Sequence, residues 1–180
     1  MALTQRTHEL VRTHFELNSK VIAVDATCGN GHDTEFLCQL GFNKVYGFDI
    51  QTQAINATQE RLKRASLDAI LIESSHENIN TYVNGKIDCV MFNFGYLPSA
   101  DKSITTKSNT SIKALEAVID TLSDNGLISL MCYPGHPEGA TETTAIKEWV
   151  ETLNSDWLVE THLATSPKPT APILYIVTRQ

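Results

Sequence analysis

Residues 21–34 read VIAVDATCGNGHDT: an apolar run, an acid, a turn with two glycines, then a polar stretch of helical character. The order is strand, loop, helix, and in a parallel α/β sheet the turn at the carboxyl end of the first strand is where ligands bind. A dinucleotide fingerprint would be GxGxxG, with the pyrophosphate on the helix N-terminus. Here Gly29 and Gly31 are followed by Thr34, so the third glycine is missing, and Asp25 ends the strand. A carboxylate there repels a pyrophosphate and favours a cation. S-adenosylmethionine carries a sulfonium and an ammonium, so the loop favours that cofactor over NAD. A tight structural turn with a capping acid is the plainer alternative for the same residues.

Outward from this loop, short apolar runs alternate with amphipathic stretches, the pattern of an α/β domain. A helical stripe over Leu3–Phe15 leads into strand one at Val21–Val24, and further runs fall at Val45–Phe48, Ala69–Ile72, Ile87–Phe92 and Leu127–Cys132. Helices are expected between and after them, at Asp33–Leu40, Thr52–Arg64, Glu77–Val83, Thr110–Leu122 and Thr141–Leu153, with Asn125-Gly126 as the stop before strand five. Trp157–Ala164 and Ile173–Thr178 are joined by SPKPTAP, too short for a crossover helix, so they should form an antiparallel hairpin.

With 180 residues, 42% hydrophobic and 19% charged, the chain reads as a single globular domain over 1–180. Its four cysteines form no CxxC pair, which argues against a zinc or disulfide framework and for a reducing, cytoplasmic compartment. The polar N-terminus does not resemble a signal peptide, and no apolar run is long enough to cross a membrane. No metal site is expected. A net charge of −7 argues against non-specific nucleic-acid binding, and the acid excess sits after residue 114, leaving the first part close to neutral. There Lys102, Lys107 and Lys113 form one basic group, and Arg61, Lys63 and Arg64 another that reads as a solvated helix face.

The other strand ends add candidate ligands. Asp49 ends the second run, where an acid can take the two ribose hydroxyls of a nucleoside, with Gln51 in reach. Ser75 and His76 after the third run would flank an adenine, although Ser74 with Glu77 also fits a capping box. In the first loop Thr27, Gly29, Asn30 and Gly31 are cofactor contacts. Asn30 offers its amide to a methionine carboxylate or tolerates a left-handed turn. Asp33 opens the following helix, where the dipole favours an acid and where it could reach the methionine ammonium.

Strand four ends in Asn93-Phe94-Gly95-Tyr96, which resembles the [DN]PP[YF] tetrapeptide of amino-directed methyltransferases, with Phe-Gly in place of Pro-Pro. Asn93 would aim an acceptor amine and the ring of Tyr96 would pack on its base, with Phe94 a further substrate contact; the reaction asks for positioning more than for acid–base work. Strand five ends in Tyr133-Pro134-Gly135-His136-Pro137, a stiff turn displaying His136 as a proton acceptor, with Tyr133 a substrate contact or a core residue. Cys132, which methylation at a pyrimidine carbon would need as nucleophile, reads as inert core.

DATCGNGHDT, FDIQ, SSHENI, NFGYLPSADKSITT and CYPGHPEG, in this order, resemble the small bacterial class I methyltransferases long labelled rRNA methylases and associated with tRNA wobble-uridine modification. The resemblance covers nearly the whole chain. It implies a Rossmann-like, seven-stranded, mostly parallel sheet and methyl transfer from S-adenosylmethionine to the amine of 5-aminomethyluridine at the wobble position, giving 5-methylaminomethyluridine. It further implies a homodimer, a tRNA anticodon partner, and Lys102 and Thr105 of the DKSITT segment as substrate contacts. An rRNA or small-amine methyltransferase, and a cofactor-binding module without catalysis, remain as alternative readings.

Overall fold

A computed structural model describes residues 2–95, 105–165 and 168–180. In chain order the elements are α1 (Leu3–His14), β1 (Ile22–Asp25), α2 (His32–Leu40), β2 (Lys44–Asp49), α3 (Thr52–Ala65), β3 (Ile70–Glu73), a single 3₁₀ turn (His76–Asn78), α4 (Ile79–Tyr82), β4 (Ile87–Asn93), α5 (Ser108–Thr121), β5 (Leu122–Cys132), α6 (Pro137–Thr152), β6 (Trp157–Leu163) and β7 (Ile173–Arg179).

The strands form one seven-stranded sheet in the order β3-β2-β1-β4-β5-β7-β6. β1 to β5 are parallel, and β7 runs antiparallel to both β5 and β6, so the expected C-terminal hairpin inserts its second strand beside β5. Period-2 alternation sends Ala23, Cys89 and Met91 to one face and Val24, Val90 and Phe92 to the other. The first set packs with Val11 of α1, Phe15 directly after it, and Phe36 and Leu37 of α2, the second with Leu115, Val118, Ile146 and Val150 of α5 and α6. Cover on both faces is what a parallel sheet requires. Strand order reverses between β1 and β4, and the carboxyl ends of those two strands, Asp25 and Asn93, lie at the point where open α/β sheets bind their ligands.

The structure corrects four local expectations. Asn125-Gly126 is not a helix stop: α5 passes directly into β5 at Leu122, and the pair lies in an irregular stretch where Ile87 and Cys89 of β4 face Leu122 and Leu127. Asp88 accounts for the distortion, accepting the Ser123 hydroxyl at 2.7 Å and the Val21 and Ile22 amides at 2.8 and 3.1 Å. The helix expected at Glu77–Val83 is the 3₁₀ turn followed by α4. Ser75, not Ser74, caps that turn, accepting the Glu77 amide at 3.4 Å, while Ser74 Oγ takes the Asn78 side chain. Finally, α6 begins four residues before Thr141, with Pro137 in its first turn, where a missing N–H costs nothing.

Candidate active site

The glycine loop takes its shape from β1 and β2 together. Gly29 and Gly31 adopt φ of +50° and +78°, and a Cβ on Gly31 would lie 2.9 Å from the Thr58 Cα, so both conformation and space ask for glycine there. Asn30 is not left-handed; its side chain is exposed and its carbonyl accepts from Arg61 Nε at 2.7 Å. Arg61 also bonds Glu35 at 2.9 Å and meets His32 at 3.1 Å. It is a brace for the loop, not part of a solvated face.

Asp25 is fully buried, with one oxygen accepting the Thr27 amide at 3.2 Å and the other the Thr34 hydroxyl at 2.6 Å. Burial, and then the negative charge of Asp33, push its carboxyl well above the usual range. The acid therefore holds the turn from beneath and does not face a ligand. Asp49 is half-buried at the end of β2, accepting the Gly29 amide at 3.0 Å and the Gln51 amide at 3.0 Å. Desolvation raises its pKa while these amides oppose the rise.

Asp33, on the first turn of α2, is approached from two elements. His8 Nε2 of α1 lies 2.5 Å from one oxygen, and the Asn93 side-chain amide donates to the other. The Asn93 backbone amide donates to Thr27 Oγ1 at 2.8 Å, so the end of β4 is tied to the loop after β1. Tyr133, directly after β5, is partly buried, and desolvation followed by the charge of Asp33 raises its phenol pKa. It is a donor at neutral pH, not a base.

Other candidates are placed differently. Phe94 is 1% exposed, stacked on Phe92 at 5.2 Å, and cannot pack on a substrate: two residues beyond Phe92, it continues the core-facing side of β4. His76 is buried against the edges of Phe92 and Phe94, and burial lowers its pKa to about 4. Its Nε2 is buried and has no hydrogen-bond partner among the described residues. His136 caps α6, its Nδ1 accepting the Gly139 amide at 3.1 Å. Thr105 lies beside Thr106, whose hydroxyl accepts the Gly95 amide at 2.8 Å and donates to the buried Glu142 at 2.6 Å. Tyr96 and Lys102 lie outside the described residues.

One end of the sheet thus gathers Thr27, Gly29, Asn30, Gly31, Asp33, Asp49, Gln51, Asn93 and Tyr133. His8, Arg61 and Glu142 were missed in the sequence. Among the described residues no group of three or more His, Cys, Asp or Glu side chains could hold a metal ion, and no helix is long and apolar enough to cross a membrane.

The model of the family described as "Putative rRNA methylase" matches residues 45–178. The chain belongs to this family. A structure of that same description from Clostridium thermocellum is 33% identical, covers 100% of this chain and 98% of its own, and superposes with a TM-score of 0.93. A Streptococcus mutans methyltransferase in complex with SAH is 32% identical, with 98% and 97% coverage and a TM-score of 0.87. A chloroplastic tRNA (mnm(5)s(2)U34)-methyltransferase of Arabidopsis thaliana is 36% identical, the match covering 84% of this chain and 60% of that protein. The chain therefore spans about 60% of the length of this curated relative. TM-scores of 0.93 and 0.87 show that this chain, with its seven-stranded mixed sheet, shares the fold of these two structures.

Proposed function

We propose that this chain is an S-adenosylmethionine-dependent N-methyltransferase that methylates the aminomethyl group of 5-aminomethyluridine at the wobble position of tRNA. The observation that carries the reading is the placement of Asn93, whose backbone is bound to the glycine loop and which ends β4 where strand order reverses. Support for the substrate comes from the 36% identical tRNA wobble-uridine methyltransferase, and for the cofactor from the SAH complex of the Streptococcus mutans relative.

The residues present suit the cofactor. Asp49 keeps acceptor capacity beyond its two backbone bonds for the ribose hydroxyls. The first amides of α2 have no partners within the helix and suit the methionine carboxylate. The unpartnered Nε2 of His76, with Ser75, suits the adenine edge. When bound, S-adenosylmethionine supplies an electrophilic methyl group on a positively charged sulfur.

The chain's own work is then to hold the acceptor amine neutral and its lone pair in line. The Asn93 side-chain oxygen and the carbonyls at the end of β4 accept the amine's N–H bonds. Tyr133 contributes a donor, and Tyr96, Lys102 and Thr105 are the RNA contacts of this proposal. His136 shapes the turn into α6, its Nδ1 accepting the Gly139 amide. In this reading the partner is the tRNA anticodon region, the enzyme works as a homodimer, and the compartment is the cytoplasm.

Methyl transfer from labelled S-adenosylmethionine tests the proposal, with anticodon stem-loops carrying uridine or 5-aminomethyluridine, ribosomal RNA, and small primary amines as acceptors. Label in the 5-aminomethyluridine stem-loop alone is expected. Label in ribosomal RNA alone would favour the reading suggested by the family's description and by a Petrotoga mobilis rRNA small subunit methyltransferase, 32% identical over 48% of this chain.

A further inference from the structure

His8 has no place in the site as the sequence presents it, yet it reaches the centre of it. The first residues of the chain form α1, anchored by Val11 and Phe15 against the sheet face that also carries α2. From there the His8 ring lies flat on Phe36, centroids 3.9 Å apart and planes 1° from parallel. Phe36 is 5% exposed and follows Asp33 by three residues on the same face of α2. The stack fixes the imidazole plane and points Nε2 at Asp33, 2.5 Å away.

The chain of contacts has a direction. A carboxylate offers only acceptors, so Nε2 of His8 carries its hydrogen towards Asp33, and Asn93 presents its NH2 group to the other oxygen. Once the NH2 is committed, the Asn93 carbonyl oxygen faces the opposite way. That oxygen is the group an amine about to react must donate to. Without the carboxylate, the two ends of the Asn93 amide are nearly equal in size and could exchange places, and the wrong end would offer the amine a donor. His8 holds Asp33 in the rotamer that makes the choice.

We infer that His8 is a positioning residue for methyl transfer: acting through Asp33, it fixes the Asn93 amide with its oxygen towards the acceptor amine. This rests on the role given to Asn93 in the proposed function. It adds that α1, outside the βα repeat, controls the geometry of the reacting end.

Two substitutions separate positioning from bulk. His8→Phe keeps a ring on Phe36 and removes the donor; His8→Gln restores an N–H at about the reach of Nε2. Turnover of the 5-aminomethyluridine stem-loop, SAH affinity by calorimetry, and the Asn93 side-chain amide signals in ¹⁵N-labelled protein are measured for each. The expected result for His8→Phe is a kcat reduced by about 10- to 100-fold, SAH affinity within about twofold of wild type, and loss of the distinct Asn93 amide signals. His8→Gln should recover most of kcat and the signals. Equal impairment of both variants, an unchanged kcat in His8→Phe, or a loss confined to SAH affinity would overturn the inference. If the wild-type protein does not methylate that RNA, the proposed substrate fails while the inference still stands or falls on the Asn93 signals, which His8→Phe must alter.

Discussion

Asp49 accepts the backbone amide of Gly29 at 3.0 Å, so the end of β2 holds the loop that follows β1. Its other oxygen accepts the Gln51 amide, also at 3.0 Å, so one carboxylate joins the loop after β1 to the turn that leaves β2. A hydrogen bond to a charged group contributes about 1.5–3 kcal/mol. The residue that shapes the loop is thus also the one facing the ribose in the proposed complex.

Asp49→Ala should therefore weaken SAH binding by about 10- to 100-fold, equivalent to the loss of one such charge-assisted contact. Isothermal titration calorimetry measures it directly. An affinity equal to wild type would remove Asp49 from the cofactor site.

Gly31 and Gly41 allow strain to be separated from crowding. Both have positive φ, +78° and +91°, but a Cβ on Gly31 meets the Thr58 Cα at 2.9 Å, whereas one on Gly41 meets nothing within 4 Å. Gly41→Ala should cost about 1 kcal/mol of folding stability, from the left-handed backbone alone. Gly31→Ala should cost about 1–3 kcal/mol more and reduce SAH affinity as the loop shifts from Thr58. Urea unfolding of the pair checks the order, and equal losses would contradict it.

The sheet architecture was legible because periodicity is local: βα alternation and the short SPKPTAP connection between two strand-like runs led to the observed elements. Legibility failed where tertiary partners decide. Asn125-Gly126 looked like a helix stop, but the pull of Asp88 on Ser123 and on the start of β1 sets the chain's path there. Phe94 reads as a substrate contact in the sequence, although counting two residues from Phe92 places it against that buried ring. His8 gave no local signal: 25 residues separate it from Asp33, and only the packing of α1 on the sheet joins them.

His76 gives the fold a pH dependence of known sign. Burial lowers its folded pKa from 6.5 to about 4. Between these values the unfolded chain takes up a proton that the folded chain refuses, so stability falls as pH falls, by about 3 kcal/mol at most. The buried acids Asp25 and Glu142 and the half-buried Asp49, with raised pKa values, act in the opposite sense, losing stability as pH rises. The His76 contribution is therefore read as the difference between wild type and His76→Phe, measured by urea unfolding from pH 7 to pH 4. That difference should shift against the wild type as pH drops; a constant difference would place a charged histidine in the folded state.

Cys132 is fully buried on β5 and desolvation raises its thiol pKa far above the ordinary value. Cys132→Ala should keep turnover within about twofold and cost about 1 kcal/mol of stability, as for a small buried truncation. Loss of turnover with the fold intact would reopen methylation at a pyrimidine carbon, which needs a thiolate nucleophile.

The central claim is the transfer of one methyl group to the aminomethyl nitrogen of a tRNA wobble uridine. Nucleoside mass spectrometry tests it on tRNA carrying 5-aminomethyluridine, before and after incubation with the purified protein and S-adenosylmethionine. The account predicts loss of 5-aminomethyluridine with a matching gain of its singly methylated form, and an Asn93→Ala protein that still binds SAH but leaves the nucleoside unchanged. No mass change in any nucleoside, from a wild-type protein shown to bind the cofactor, would contradict it.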